Sequence, residues 1–178
     1  MTRRISSLGL VLLVVLLCLP LNVTSAQEGK IGYVDSQRIF AESKDFADAQ
    51  AKFDKDVAAW NKQAEEMQTE IEQLEQDLKS QSLMLSKEKR EEKERALQAK
   101  KDAYQQYVEG TFGPGGKAER RNAELIKPIR DRVIAIIEKI AIEENYAIVL
   151  DASTTSIAYA KRSLDLTERV IEETKKQE

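Results

Sequence analysis

Apolar residues recur through the middle of the chain at the spacing of packed helices. Phe46, Ala49, Phe53, Val57, Trp60, Ala64, Met67, Ile71, Leu74, Leu78 and Leu85 follow one another in steps of three and four, with one step of seven at the end. The positions between them are mostly Glu, Gln, Lys and Asp. A seam of this period in a charged background predicts one amphipathic helix over about 45–82. At ~1.5 Å per residue it would reach on the order of 55 Å, too long for a small globule, so it must project as an arm. The seam needs a partner. Leu97, Tyr104 and Val108 continue it on a return helix, with Ala96, Ala103 and Tyr107 beside them. Ser80-Gln81-Ser82 weakens the first helix, and Ser86 followed by Glu88 has the form of an N-cap. The tip of the hairpin therefore falls near 80–88, and the charged run Lys87 to Arg95 is a solvated face.

Gly110 to Gly116 (GTFGPGG) breaks the return helix, because four glycines and Pro114 do not form a regular helix interior. Gly110, Gly113, Pro114, Gly115 and Gly116 are hinge candidates, with a rigid surface bulge as the alternative. Counting outward from the tip sets this loop opposite residues 57–60, which predicts Phe112 near Trp60. The arm spans 45–126. Leu83 and Met84 at the tip, Tyr107, and Phe112 are apolar residues away from the seam, with packing in the hairpin as the ordinary role of each.

The flanking segments form a body, 27–44 and 127–178. Strand signals lie near 30–35 (KIGYVD), 146–151 (YAIVLD) and 157–160 (IAYA), and the last two are expected to pair as a hairpin. An apolar helical face runs from Leu125 to Ile140, with Pro128 at its start or at a kink. A final helix begins near Asp165, whose spacing to Glu168 is that of a capping box. The fold class is mainly α with a small α+β body carrying a long antiparallel helical hairpin. Three short strands and two helices make a thin core with open edges. Oligomerisation is the simplest remedy, and Ile31, Tyr33, Val34, Ile148, Val149 and Leu150 are its candidate residues.

The first segment changes the compartment. Arg3 and Arg4 precede an aliphatic run from Leu8 to Leu21, and Thr24-Ser25-Ala26 follows with small residues. This is the pattern of a secretory signal peptide, 1–26. The apolar run is shorter than the ~20 residues that span a bilayer. Cys18, the sole cysteine, lies inside it and lacks the small residue before it that lipidation requires. The remaining chain would be free of cysteine, which suits an oxidising compartment. The full chain has 28 basic and 31 acidic residues. Losing the two leader arginines makes it more acidic still, so nucleic acid is not an expected partner. There is no histidine. That removes the commonest general base and zinc ligand, so no enzyme, metal or cofactor is expected. Asp35 and Asp151 could approach each other in the body, but both sit at strand ends, where capping is the ordinary role.

Taken in order, the leader, I-G-Y-V-D, Ile39-Phe40, the charged hairpin, Y-A-I-V-L-D-A, I-A-Y and D-L-T-x-x-V-I resemble the OmpH family, from Gly29 to about Thr174. The resemblance implies a homotrimer, in which a barrel-like body carries three helical-hairpin arms around a cavity. It implies an ATP-independent periplasmic holdase for unfolded outer-membrane β-barrel proteins, with no catalytic residues; Leu83, Met84, Tyr107 and Phe112 are then its candidates for client contact, with hairpin packing as the alternative for each. The alternative is a structural coiled-coil spacer or envelope tether. Two features depart from the family's best-known member: the GTFGPGG break, and an acidic rather than basic chain. A weak membrane-surface contact at the arm tip is a further expectation.

Overall fold

A computed structural model describes residues 29–81 and 83–177. The expected signal peptide, 1–26, lies outside the described residues. The chain runs through β1 (Lys30–Val34), α1 (Ser36–Ala41), α2 (Lys44–Gln81), α3 (Lys87–Phe112), α4 (Lys117–Glu143), β2 (Tyr146–Asp151), a 3-10 turn (Arg162–Leu164) and α5 (Thr167–Lys175).

The body holds one core. Val34, Ile39, Val133, Ile136, Ile140, Leu166, Val170 and Ile171 form its buried cluster, with Phe40, Ile137, Tyr146 and Val149 packed against it. No residue of 45–126 belongs to that cluster. Val170 and Ile140 are almost wholly enclosed, and burial of such a side chain contributes about 1.5–3 kcal/mol. These residues come from both ends of the sequence, so the body closes only when the chain returns from the arm.

β1 and β2 pair in parallel, with Ile31 opposite Ile148, Gly32 opposite Val149, Tyr33 opposite Leu150 and Val34 opposite Asp151. Parallel neighbours need a long crossover, and here the whole arm supplies it. Alternation along the strands then sorts the two faces. Val34 and Val149 face the core, while Ile31 and Ile148 remain about half exposed, at 53% and 51%. Gly32 is required for close approach: a Cβ there would meet the Tyr146 ring at 2.9 Å.

Several expectations are corrected. Residues 157–160 form no strand, and β2 pairs with β1 rather than with them. The cause is local: Thr154 and Thr155 donate back to the Asp151 carbonyl at 3.2 and 2.9 Å, curling the chain into a turn. The edge of β1 beyond it is also occupied, since Leu166 N–H donates to the Tyr33 carbonyl at 2.9 Å. Of the two readings of Pro128, the helix start is excluded: the helix begins at Lys117, and Pro128 lies inside it. Asp165 and Glu168 do not form a capping box. Asp165 Oδ1 accepts instead from Thr167 N and Oγ1, at 2.9 and 2.6 Å, and Glu168 pairs with Arg38. α4 ends at Glu143 with Glu144 as its C-cap, and Asn145 follows with a φ of 60°, the left-handed conformation that asparagine tolerates after a helix.

Candidate functional site

α2 has 38 residues, about 57 Å at ~1.5 Å per residue. Its start is fixed by Ser43, whose Oγ accepts from Phe46 N–H at 3.2 Å. Every seam residue from Phe46 to Leu85 is buried or half-buried, with Ala49, Trp60 and Ile71 deepest. Nearly all residues between them are exposed. α3 returns alongside, presenting Leu97, Tyr104, Tyr107 and Val108 half-buried. Lys100–Glu70 at 2.7 Å and Lys101–Glu75 at 2.5 Å cross between the two helices. These pairs are exposed and contribute little to stability, but they favour one register.

The tip is tight. Met84 and Leu85 N–H groups donate to the Gln81 carbonyl at 2.9 and 3.1 Å. Ser86 Oγ caps α3 by accepting from Lys89 N–H at 3.3 Å. With Leu85 turned toward the seam, Leu83 and Met84 stand out at 98% and 84% exposure. Lys87, Lys89 and Arg90 lie beside them in the first turn of α3.

The break is shorter than expected and well connected. Gly110, Thr111 and Phe112 remain helical, and only residues 113–116 leave the helix. Gly113 N–H donates to the Glu109 carbonyl at 2.9 Å, and Gly116 N–H to the Gly113 carbonyl at 2.8 Å. Glu119 Oε2 accepts from Gly115 N–H at 2.7 Å, and Arg120 donates to the Gly115 carbonyl. Gly115 has a φ of +66°, which favours glycine. A Cβ on Gly116 would lie 2.7 Å from the Gly113 carbonyl oxygen, whereas one on Gly110 would meet nothing within 4 Å. Gly110 therefore takes no part in the turn, contrary to its place among the hinge candidates.

Trp60 gathers this junction. The Phe112 ring meets it edge-on at 6.5 Å, as the count from the tip implied, and Lys117 Nζ sits 5.1 Å from its ring centroid. The Tyr107 hydroxyl donates to the Trp60 carbonyl at 3.1 Å. Below it, Arg121 Nε donates to Asp56 Oδ2 at 2.8 Å, and Arg132 pairs with Asp45, so α4 grips α2 down to the body. Tyr107 and Phe112 are thus engaged across the hairpin. Phe112 keeps 40% of its surface exposed.

Of the expected oligomerisation residues, Ile31, Tyr33, Ile148 and Leu150 pair with one another in register and share the sheet face opposite the core. Val34 does not belong with them. It is 3% exposed within its own chain's core and has no surface left for a second chain. Val149 likewise packs against the core.

Asp35 and Asp151 have structural partners. Asp35 Oδ1 caps α1 by accepting from Arg38 N–H at 3.1 Å. Asp151 accepts from Ser36 N and Oγ, and from Ser153 N and Oγ, at 2.7–3.3 Å. Burial alone would raise its pKa, but these hydrogen bonds outweigh it and hold the carboxyl below the ordinary aspartate value. Glu42 is also lowered, with the Lys175 ammonium 2.8 Å away as the main cause and Arg38 adding to it. Among the described residues no group of three or more His, Cys, Asp or Glu side chains could hold a metal ion. No described helix is long and apolar enough to cross a membrane.

The signal that would have found Lys117 over Trp60 and the Tyr107–Trp60 bond was already implicit in the register that set Phe112 opposite Trp60. Carrying the same count to neighbouring positions reaches both.

These features define a class: a small α/β body from which a long two-helix arm emerges, its seam closed on itself and its break pinned at one tryptophan. The model of the OmpH-like outer membrane protein family matches residues 30–173, and the chain belongs to that family. An uncharacterised protein of Aquifex aeolicus (strain VF5) is 31% identical over 141 residues, covering 79% of this chain and 82% of that protein. A crystal structure from Caulobacter crescentus CB15, described as an OmpH-like outer membrane chaperone candidate, aligns with a TM-score of 0.72 at 15% identity. It covers 84% of this chain and 86% of that one. At that identity the likeness establishes the fold.

Proposed function

We propose that this protein is an ATP-independent periplasmic holdase. It keeps unfolded outer-membrane β-barrel proteins soluble in a cavity between the arms of a homotrimer. Membership of the OmpH-like family supports the class. The observation that carries the reading is the separation of arm from core: a hairpin about 57 Å long contributes nothing to the buried cluster of the body. Such an arm covers the body only at its base, where Phe46 meets Phe40 at 5.3 Å, and the rest of it offers a large amphipathic surface. An unpaired barrel strand alternates apolar and polar residues and is insoluble until assembled. Many weak contacts from several arms hold such a chain without a second tight core.

The trimer reading is supported by the open sheet face. Ile31 and Ile148 are exposed side by side on a two-stranded sheet, which rarely stands alone. Leu83, Met84 and Phe112 are the client-contact residues of this reading, with Tyr107 held mainly by the hairpin. A weak contact of the tip with a membrane surface is consistent with Leu83 and Met84 beside Lys87, Lys89 and Arg90. The protein works without catalysis or nucleotide, and release follows mass action as the client folds elsewhere.

The test is dilution of a urea-unfolded outer-membrane barrel protein into buffer containing the purified protein and no nucleotide, followed by light scattering. Suppressed aggregation at one trimer per client is expected. Unchanged aggregation at that ratio refutes the holdase reading and favours a spacer without clients.

A further inference from the structure

The two helices of the arm leave an open cleft of about 800 Å³ along one flank of their contact line. Its floor is apolar: Ile71 from α2, and Tyr104 and Val108 from α3. Its rim carries Glu72, Glu75, Glu109 and Lys101. Lys101 is already paired with Glu75 at 2.5 Å. Glu72 accepts only a neutral donor, Gln68 Nε2 at 3.1 Å. Among the described residues neither Glu72 nor Glu109 has an ion-pair partner, so the rim holds net negative charge beside an apolar floor. The cleft on the other flank of α2 differs. It is lined by Lys62, Glu65, Glu66, Thr69, Glu70 and Gln73, with no aliphatic or aromatic residue among them.

The geometry points to the apolar cleft as a docking track for extended, unpaired segments in which apolar residues alternate with lysine or arginine. This rests on the holdase reading and names which client segments the arm holds. Tyr104 and Val108 are four residues apart, about 6 Å along the helix. Same-face side chains of an extended strand recur every ~6.6 Å. Successive apolar side chains of such a strand therefore match successive floor positions. Its other side chains point away from the floor, and a long lysine or arginine folds back to Glu72 or Glu109 at the rim, whereas an anion there is repelled. Charge complementarity of this kind selects partners more than it tightens binding.

The experiment measures binding of two short labelled peptides by fluorescence anisotropy, one alternating leucine with lysine and one alternating leucine with glutamate. The lysine peptide is expected to bind about threefold to tenfold more tightly, and the difference should shrink as salt is raised. The double variant Glu72→Lys with Glu109→Lys should abolish or invert the preference. The double variant Glu65→Lys with Glu66→Lys makes the same change in net charge on the other flank and should retain it. All four positions are exposed, so both variants should keep the parent's circular dichroism. Equal affinity for the two peptides in the parent overturns the inference, as does an equal loss of preference in both variants, which would report net charge and not the cleft. Aggregation suppression is run in parallel. Suppression without peptide preference overturns the cleft alone, and absent suppression by the parent overturns the holdase reading beneath it.

Discussion

Replacing Phe112 by alanine tests whether the break in the arm is a pinned joint. The Phe112 ring meets Trp60 edge-on at 6.5 Å, and 40% of the residue is exposed. A fully buried Phe→Ala substitution costs about 3–5 kcal/mol. With roughly three-fifths of the surface covered, the expected cost is about 2 kcal/mol, the aromatic contact included. Trp60 is the single tryptophan, so its fluorescence reports this site alone. In a urea titration the Trp60 transition should move down by about 1 M, taking a slope near 2 kcal/mol/M. Its emission should also shift to the red as water reaches the ring. Hydrogen exchange adds the spatial control: protection should fall around 57–64 and 107–121 while β1, β2 and α5 keep theirs. A midpoint shift below about 0.3 M would refute the joint, since it corresponds to well under 1 kcal/mol at that slope. Equal loss of protection in the body would refute the separation of arm from core. Unchanged stability with impaired aggregation suppression would make Phe112 a client contact and not a joint.

Three further outcomes follow from the same geometry. Gly116→Ala should destabilise by about 1–3 kcal/mol because its Cβ would lie 2.7 Å from the Gly113 carbonyl oxygen. Gly110→Ala should stabilise by about 0.5–1 kcal/mol, as the site is helical and open; thermal melts of the pair should shift in opposite directions. Asp151 is held below its ordinary pKa by Ser36 and Ser153. Its contribution is therefore complete above the unfolded-state aspartate pKa and is lost as pH falls through the lower folded value. Asp151→Asn should cost about 1 kcal/mol at neutral pH and flatten the loss of stability on acidification, as read from melts across pH 2 to 7. Val170→Ala, at a fully enclosed core position, should cost about 2 kcal/mol and lower protection in the body before the arm.

The arm was legible in the sequence because its signal is local and repeated. A seam of eleven residues in steps of three and four survives any single misreading, and it set the tip, the Ser86 cap and the Phe112–Trp60 contact. The sheet was less legible. YAIVLD and IAYA carry similar β signals, and which of them pairs with KIGYV depends on contacts more than a hundred residues apart in sequence. Asp151 decides it by folding Ser153 to Thr155 into a turn, which a count of β-formers does not reveal. Pro128 left two readings open, a helix start or a kink. Its missing N–H marks a helix start by preference, yet the apolar face of Leu125, Ile126, Ile129 and Val133 continues across it, and packing against α2 and the body carries the helix through. The open sheet face was visible as residue type, but its sorting into Ile31, Tyr33, Ile148 and Leu150 against Val34 and Val149 required the register.

The most direct test of the account is the mass of the protein in solution, alone and with an unfolded barrel client, by light scattering on a size-exclusion column. Three chains at rest, and three chains with one client in the complex, are expected. A single-chain mass at micromolar concentration, or a client bound by one chain alone, would contradict it.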